Sequence, residues 1–256
     1  MADSQKEFGY KMETKATDAQ VAHREKLYDL FRNRPMPDDQ LMICLGLFMR
    51  SSALTKVLFV NELYELILDK PGVIMEFGTW WGQNLALFEN LRAIYEPFNA
   101  SRRVIGFDTY EGYPNVSDQD RRSETITEGG YKVSEGYQSY LNQLLAYHEE
   151  NNILGNIRKT ETVKGDVSKT AKTYFENNPE TIVALAYFDM ALYEPSKAAF
   201  EAIKPHLISG SVLMLDEFNS KDYPGETLAF KEVLSDIKFE FRKSRYMTDR
   251  TILIVQ

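Results

Sequence analysis

The chain has 256 residues, of which 43% are hydrophobic and 27% charged, and it carries a formal net charge of −8. That is enough apolar material for one large α/β domain, and the acidic balance argues against nucleic acid or an anionic membrane as the main partner. One cysteine, Cys44, excludes an internal disulfide and fits a reducing cytoplasm.

Residues 1–37 are polar, lack the apolar run of a secretion signal, and read as a partly disordered arm or one that packs on a neighbouring subunit. From Asp38 to Leu68 apolar residues recur at helical spacing (Leu41, Leu45, Phe48, then Val57, Val60, Leu63 and Ile67), which predicts two helices. The run LMICLGLFM is too short to span a bilayer, and its Cys44 reads as a buried apolar residue rather than a nucleophile. Pro71 and Gly72 then break the chain before a buried strand, Val73 to Phe77. A helix is predicted from about Gln83 to Tyr95, stopped by Pro97, and RRVIGFDTYEGYP supplies a second strand ending at Asp108. The polar 115–135 segment, with its glycine pair, reads as a mobile loop or lid.

After a helix at 137–150 come the strand TETVKGDV, a helix near 168–177 and the strand TIVALAYFD. A helix opened by Pro195, the strand SVLMLDEF and a helix beyond Gly225 follow. The closing strands FEFRKSRYM and RTILIVQ, joined by a tight turn at Thr248–Asp249, are too closely connected for a parallel crossover and predict an antiparallel hairpin. Alternating strands and helices predict a doubly wound, Rossmann-like sheet of seven strands over 71–256, with a helical extension over 1–70.

In such sheets ligands bind beyond the carboxyl ends of the strands. Five predicted strands end in or just before acids: Glu76, Asp108, Asp166, Asp189, and Asp216 with Glu217. The stretch MEFGTWWGQN lacks the glycine spacing of a dinucleotide site, because Trp80 and Gln83 stand where the second and third glycines belong. A carboxylate at Glu76 would repel a pyrophosphate and attract an ammonium group. The competing reading is a glycine turn that only packs a helix. Asp108 has the position of a ribose-hydroxyl acceptor or of a turn aspartate. Asp166 has that of an adenine acceptor, although Ser168 as a helix cap explains much of the same segment. Asp189, Asp216 and Glu217 end two buried strands expected to be neighbours. Their mutual repulsion calls for a cation such as Mg²⁺, or they are simply solvated strand ends. His148 and His206 read as packed and capping residues, and Tyr110, Tyr113, Tyr131 and Tyr193 lie near the expected mouth.

With these pieces assembled, the chain resembles the class I methyltransferases that use S-adenosylmethionine (SAM). More narrowly, it is similar to the macrocin O-methyltransferase-like (TylF/MycF) family, which includes sugar O-methyltransferases of antibiotic pathways such as that of calicheamicin. The matching segments are MEFGTWWGQN, IGFDTYEGYP, VKGDV, FDMALYEPSKAAFEAIKPHLISGSVLMLDEF and the closing hairpin. The resemblance implies methylation of a sugar hydroxyl with SAM and a divalent cation, most simply Mg²⁺, in a homo-oligomer. It implies that Glu76, Gly78 and Asn84 hold the methionine part, with Trp80 and Thr109 also at the cofactor, Asp108 at the ribose and Asp166 at the adenine. Asp189, Asp216 and Glu217 would hold the metal, with Asp189 also the general base. The family's usual acidic pair is Asp-Asp, so Glu217 is a departure that puts the metal in question. Methylation of another small hydroxyl compound, a nicotinamide-dependent oxidoreductase and a silent SAM-binding subunit are the alternatives.

Overall fold

Val73–Phe77 (β1) is buried along its whole length, as a strand flanked by parallel neighbours and covered on both faces should be. It lies mid-sheet in a computed structural model that describes residues 16–120 and 126–256. The elements, in chain order, begin with helices α1 (Asp18–Arg32), α2 (Asp38–Ile43) and α3 (Ser51–Glu65), followed by β1. Next come α4 (Gln83–Tyr95), β2 (Val104–Asp108), α5 (Tyr137–Glu150), β3 (Thr160–Lys164) and α6 (Val167–Asn177). The chain continues through β4 (Val183–Phe188), α7 (Tyr193–Ile203), β5 (Leu207–Leu215), α8 (Gly225–Val233), β6 (Phe239–Lys243) and β7 (Thr251–Val255).

The seven-stranded sheet has the order β3-β2-β1-β4-β5-β7-β6. The first five strands run parallel, while β7 inserts antiparallel between β5 and β6, as the closing hairpin requires. Alternate residues feed two cores. Met75, Phe77, Phe107, Phe188 and Leu213 pack under α6, α7 and α8, and Ile74, Val104, Tyr187 and Met214 under α3, α4 and α5.

The N-terminal region differs from its expectation. Within the polar arm, Asp18–Arg32 is helical, started by a capping box between Thr17 and Gln20, yet it buries no residue; residues 1–15 lie outside the described chain. LMICLGLFM spans the end of a six-residue helix and a 3₁₀ turn, and only Leu41 of it is buried. Met42, Ile43 and Leu47 are 69%, 79% and 67% exposed, and Cys44 is only half-buried. The hairpin connection is also longer than a tight turn, running over 244–250. Ser244 anchors it by accepting the backbone N–H groups of Tyr246 and Met247, while its own hydroxyl donates to Glu62 on α3.

Candidate active site at the carboxyl edge of the sheet

Strand register carries the acids into one row. Phe107, Phe77, Phe188 and Leu215 are neighbours across β2, β1, β4 and β5, so the next residue of each strand also lines up. Those residues are Asp108, Gly78, Asp189 and Asp216. The ladder continues into them: Gly78 N–H donates to Phe107 O (2.9 Å), Asp189 N–H to Phe77 O (2.9 Å) and Asp216 N–H to Phe188 O (3.1 Å). Gly78 has φ +93°, and a Cβ there would stand 2.1 Å from the carbonyl oxygen of Asp189. A Cβ at Gly82, which opens α4, would meet a methyl of Leu141 on α5 at 2.4 Å. What approaches both glycines is the protein itself, so their spacing is accounted for by packing.

Beyond this row lies a cavity of about 390 Å³. Gly78, Trp80, Asp108, Thr109 and Asp166 line one part of it, and Asp189, Asp216, Glu217 and Arg250 another, with Tyr113, Tyr131 and Tyr223 on its walls. Glu76 and Asn84 do not line it. Glu76 sits one residue inside β1, opposite Gly106 and Tyr187, and its Oε1 accepts from Asn84 Nδ2 at 2.6 Å. It is 1% exposed, its Oε2 has no hydrogen-bond partner, and burial pushes its pKa up to about 8.

Asp108 is engaged by backbone: Oδ2 accepts from Trp80 N–H (2.7 Å) and Oδ1 from Tyr110 N–H (2.6 Å). These bonds hold Trp80 and Tyr110 at positive φ and oppose the upward push of burial on its carboxyl. Asp166 caps α6 by accepting from Ser168 N–H (2.9 Å) while also facing the cavity. Among the tyrosines, Tyr110 and Tyr193 are buried, and Tyr193 hydrogen-bonds Glu232 away from the cavity. His148 is half-buried beside Asn90, as a packed residue should be, whereas His206, expected to cap, instead stacks on Phe175 with Nδ1 against Thr181 O.

Burial raises the carboxyls of Asp189, Asp216 and Glu217; Asp189 in turn raises the other two, while Arg250 opposes the shift in all three. Sequence reasoning missed the residues around them. Lys56 on α3 bonds the hydroxyl of Tyr187 and lowers Asp189; its signal was a lysine four residues before buried Val60. Glu226, fully buried in the first turn of α8, accepts the backbone N–H of Glu217 at 2.9 Å. Arg250 has no local signal at all. The proposed lid lies partly outside the described residues, at 121–125. Before that gap Asp120 is 1% exposed and accepts from Tyr193 N–H (2.8 Å), so that part is anchored.

Among solved structures, the chain is similar to the calicheamicin methyltransferase CalS11, with 37% identity and a TM-score of 0.87 over 96% of this chain and 95% of that one. The chain belongs to the family of CalS11, within the class I methyltransferases. It is an SAM-dependent O-methyltransferase. An apo structure of CalS11, described as a TDP-rhamnose 3'-O-methyltransferase of calicheamicin biosynthesis, gives 36% identity and a TM-score of 0.81, covering 94% and 96% of the two chains. The O-methyltransferase NovP, at 17% identity and a TM-score of 0.60 over 78% and 79%, shares the fold. No family model and no curated protein matches the sequence.

For a methyltransferase of this family, the cavity residues fit SAM in kind. Carboxylates suited to ribose hydroxyls (Asp108) and to an adenine amino group (Asp166) share one wall with an aromatic, Trp80, and Glu76 keeps an unpaired buried oxygen behind the Gly78 turn. The acidic end supplies the hard oxygen donors that a divalent cation prefers. Those donors are not preassembled: among the described residues no three Asp, Glu, His or Cys side chains form a ready metal cage. Asp216 is instead ion-paired with Arg250.

Proposed function

We propose that this enzyme transfers the SAM methyl group to a hydroxyl of a sugar-containing small molecule, either nucleotide-linked or on a glycosylated natural product. The observation that carries the reading is the row of strand-end acids, Asp108, Asp189 and Asp216, opening into one cavity with Asp166 and Glu217. The sequence likeness to CalS11, whose described acceptor is a TDP-sugar, supports the acceptor class.

Bound SAM supplies an electrophilic methyl on a sulfonium, and a bound divalent cation would acidify the acceptor hydroxyl. Trp80, Thr109, Asp108 and Asp166 form the cofactor wall together with Gly78, and Glu76, held by Asn84 beneath it, would ionise against the ammonium group of the methionine part. Asp189, Asp216 and Glu217 would hold the cation. Asp189 would accept the proton of the acceptor hydroxyl, the charge change that methyl transfer from bound SAM requires of the protein. The exposed apolar residues of 42–58 support a homo-oligomer built through the N-terminal helices.

The test is to incubate the enzyme with SAM, Mg²⁺ and a panel of nucleotide-linked deoxyhexoses, free sugars, glycosides and catechols, and follow the acceptor's mass. Gain of one methylene on a sugar supports the reading. Turnover of the catechols alone would replace the sugar by another hydroxyl compound.

A further inference from the structure

The acidic end of the cavity already contains a cation that belongs to the chain. Arg250, the residue immediately before β7, lines the cavity, and its Nε lies against Oδ1 of Asp216. The contact is an ion pair without directional bonding, because neither Arg250 Nε nor Asp216 Oδ1 makes a hydrogen bond. Its Nη1 is 2.9 Å from Asp249 in the hairpin connection, which offers the guanidinium a second carboxylate nearby. The two partners differ in freedom. Asp216 is 7% exposed and held by the sheet ladder through its own N–H. Arg250 ends a long, jointed side chain on a connection outside the sheet, and 21% of that side chain is exposed.

Lys56, the other cation near this cluster, is already engaged with the hydroxyl and ring of Tyr187. Arg250 is therefore the group whose removal from the acids disturbs least. A divalent ion and the Arg250 guanidinium are both positive and both would lie against the Asp216 carboxylate, so they repel each other and compete for its charge. We propose that Arg250 is an exchangeable counter-ion, pairing with Asp216 in the metal-free enzyme and giving way to a divalent cation that enters among Asp189, Asp216 and Glu217. The pairing keeps three clustered carboxylates from repelling one another when no cation is bound, and it weakens cation binding by direct competition. This rests on the reading that the acidic end binds a metal.

The experiment is calorimetric titration of the full-length protein with Mn²⁺, comparing wild type with Arg250→Met and Arg250→Lys. Thermal midpoints are measured with and without the ion. Arg250→Met should bind Mn²⁺ about tenfold more tightly or better. It should melt lower than wild type without Mn²⁺ and gain more on its addition. Arg250→Lys, whose ammonium lacks the planar fork, should fall between them, and it carries the test if the methionine variant does not fold. Equal or weaker binding by the variants would overturn the exchange while leaving the metal reading intact. Failure of every protein to bind Mn²⁺ would overturn the metal reading itself, and the exchange with it.

Discussion

Glu76 shows how much one residue's depth matters. The unfolded chain ionises this carboxyl near its ordinary value of 4.5, whereas the folded chain keeps the proton up to about 8 because burial penalises the charge. The SAM-free enzyme therefore loses stability as pH rises through that window and levels off above it, by an amount on the order of a few kcal/mol. Glu76→Gln should flatten the dependence and raise the melting temperature at pH 8, as a pH series of thermal melts would show. The same variant should bind SAM more weakly if the carboxylate serves the methionine amine; unchanged affinity would leave Glu76 a purely structural partner of Asn84. Asp189 tests the chemistry. Asp189→Asn keeps the side chain's size and should lose turnover by about a hundredfold or more while SAM affinity stays nearly constant. Single-turnover kinetics with calorimetry separates the two, and normal turnover would remove Asp189 from the reaction.

At the scale of elements, the start of α8 fixes the loop after β5. Glu226 receives the N–H of Glu217, and Thr227 Oγ1 receives that of Asn219 at 2.7 Å, where the backbone has φ +63°. Burial pushes the Glu226 carboxyl well up, which favours its uncharged form. Glu226→Gln should therefore keep stability and activity, since an amide oxygen still accepts. Glu226→Ala would leave a void and an unpaired N–H, at a cost of about 1–3 kcal/mol, readable by urea unfolding. Equal loss in both variants would show that the carboxyl proton, not the acceptor, is what matters there. The central strands were legible in sequence because strands buried on both faces read as unbroken apolar runs. Helices 83–95 and 137–150 were legible from their apolar spacing. The helix at 18–32 was harder to see: its signal is a capping box, since it buries nothing.

The whole molecule carries an uneven surface. Met42, Ile43, Leu45, Leu47, Leu54 and Leu58 are all at least 37% exposed and are crowded into one stretch of the N-terminal extension. A homo-oligomer that covers them predicts that Leu47→Glu with Leu54→Glu shifts the enzyme to a smaller species in analytical ultracentrifugation. The fold should be unchanged, because neither residue belongs to a core. A wild-type monomer would sink that reading. Overall charge acts at the same scale: the net of −8 sits partly in the cavity, where Asp108, Asp166, Asp189, Asp216 and Glu217 face a single lining cation, Arg250, among the described residues.

The sequence by itself determined the order of strands and helices, the antiparallel close and the acids at the strand ends, because each is written in local periodicity and in the residue that follows an apolar run. Only the tertiary structure decided which charges meet. Lys56 reaches Tyr187 across 131 residues, Ser244 reaches Glu62 across 182, and Arg250 comes to Asp216 because β7 inserts beside β5. It also decided that Gly78 and Gly82 make room for Asp189 and Leu141 and that Glu76 lies beneath the cavity instead of on its wall. Such pairings are set by strand register and helix packing between distant segments, and no short window of sequence contains both partners.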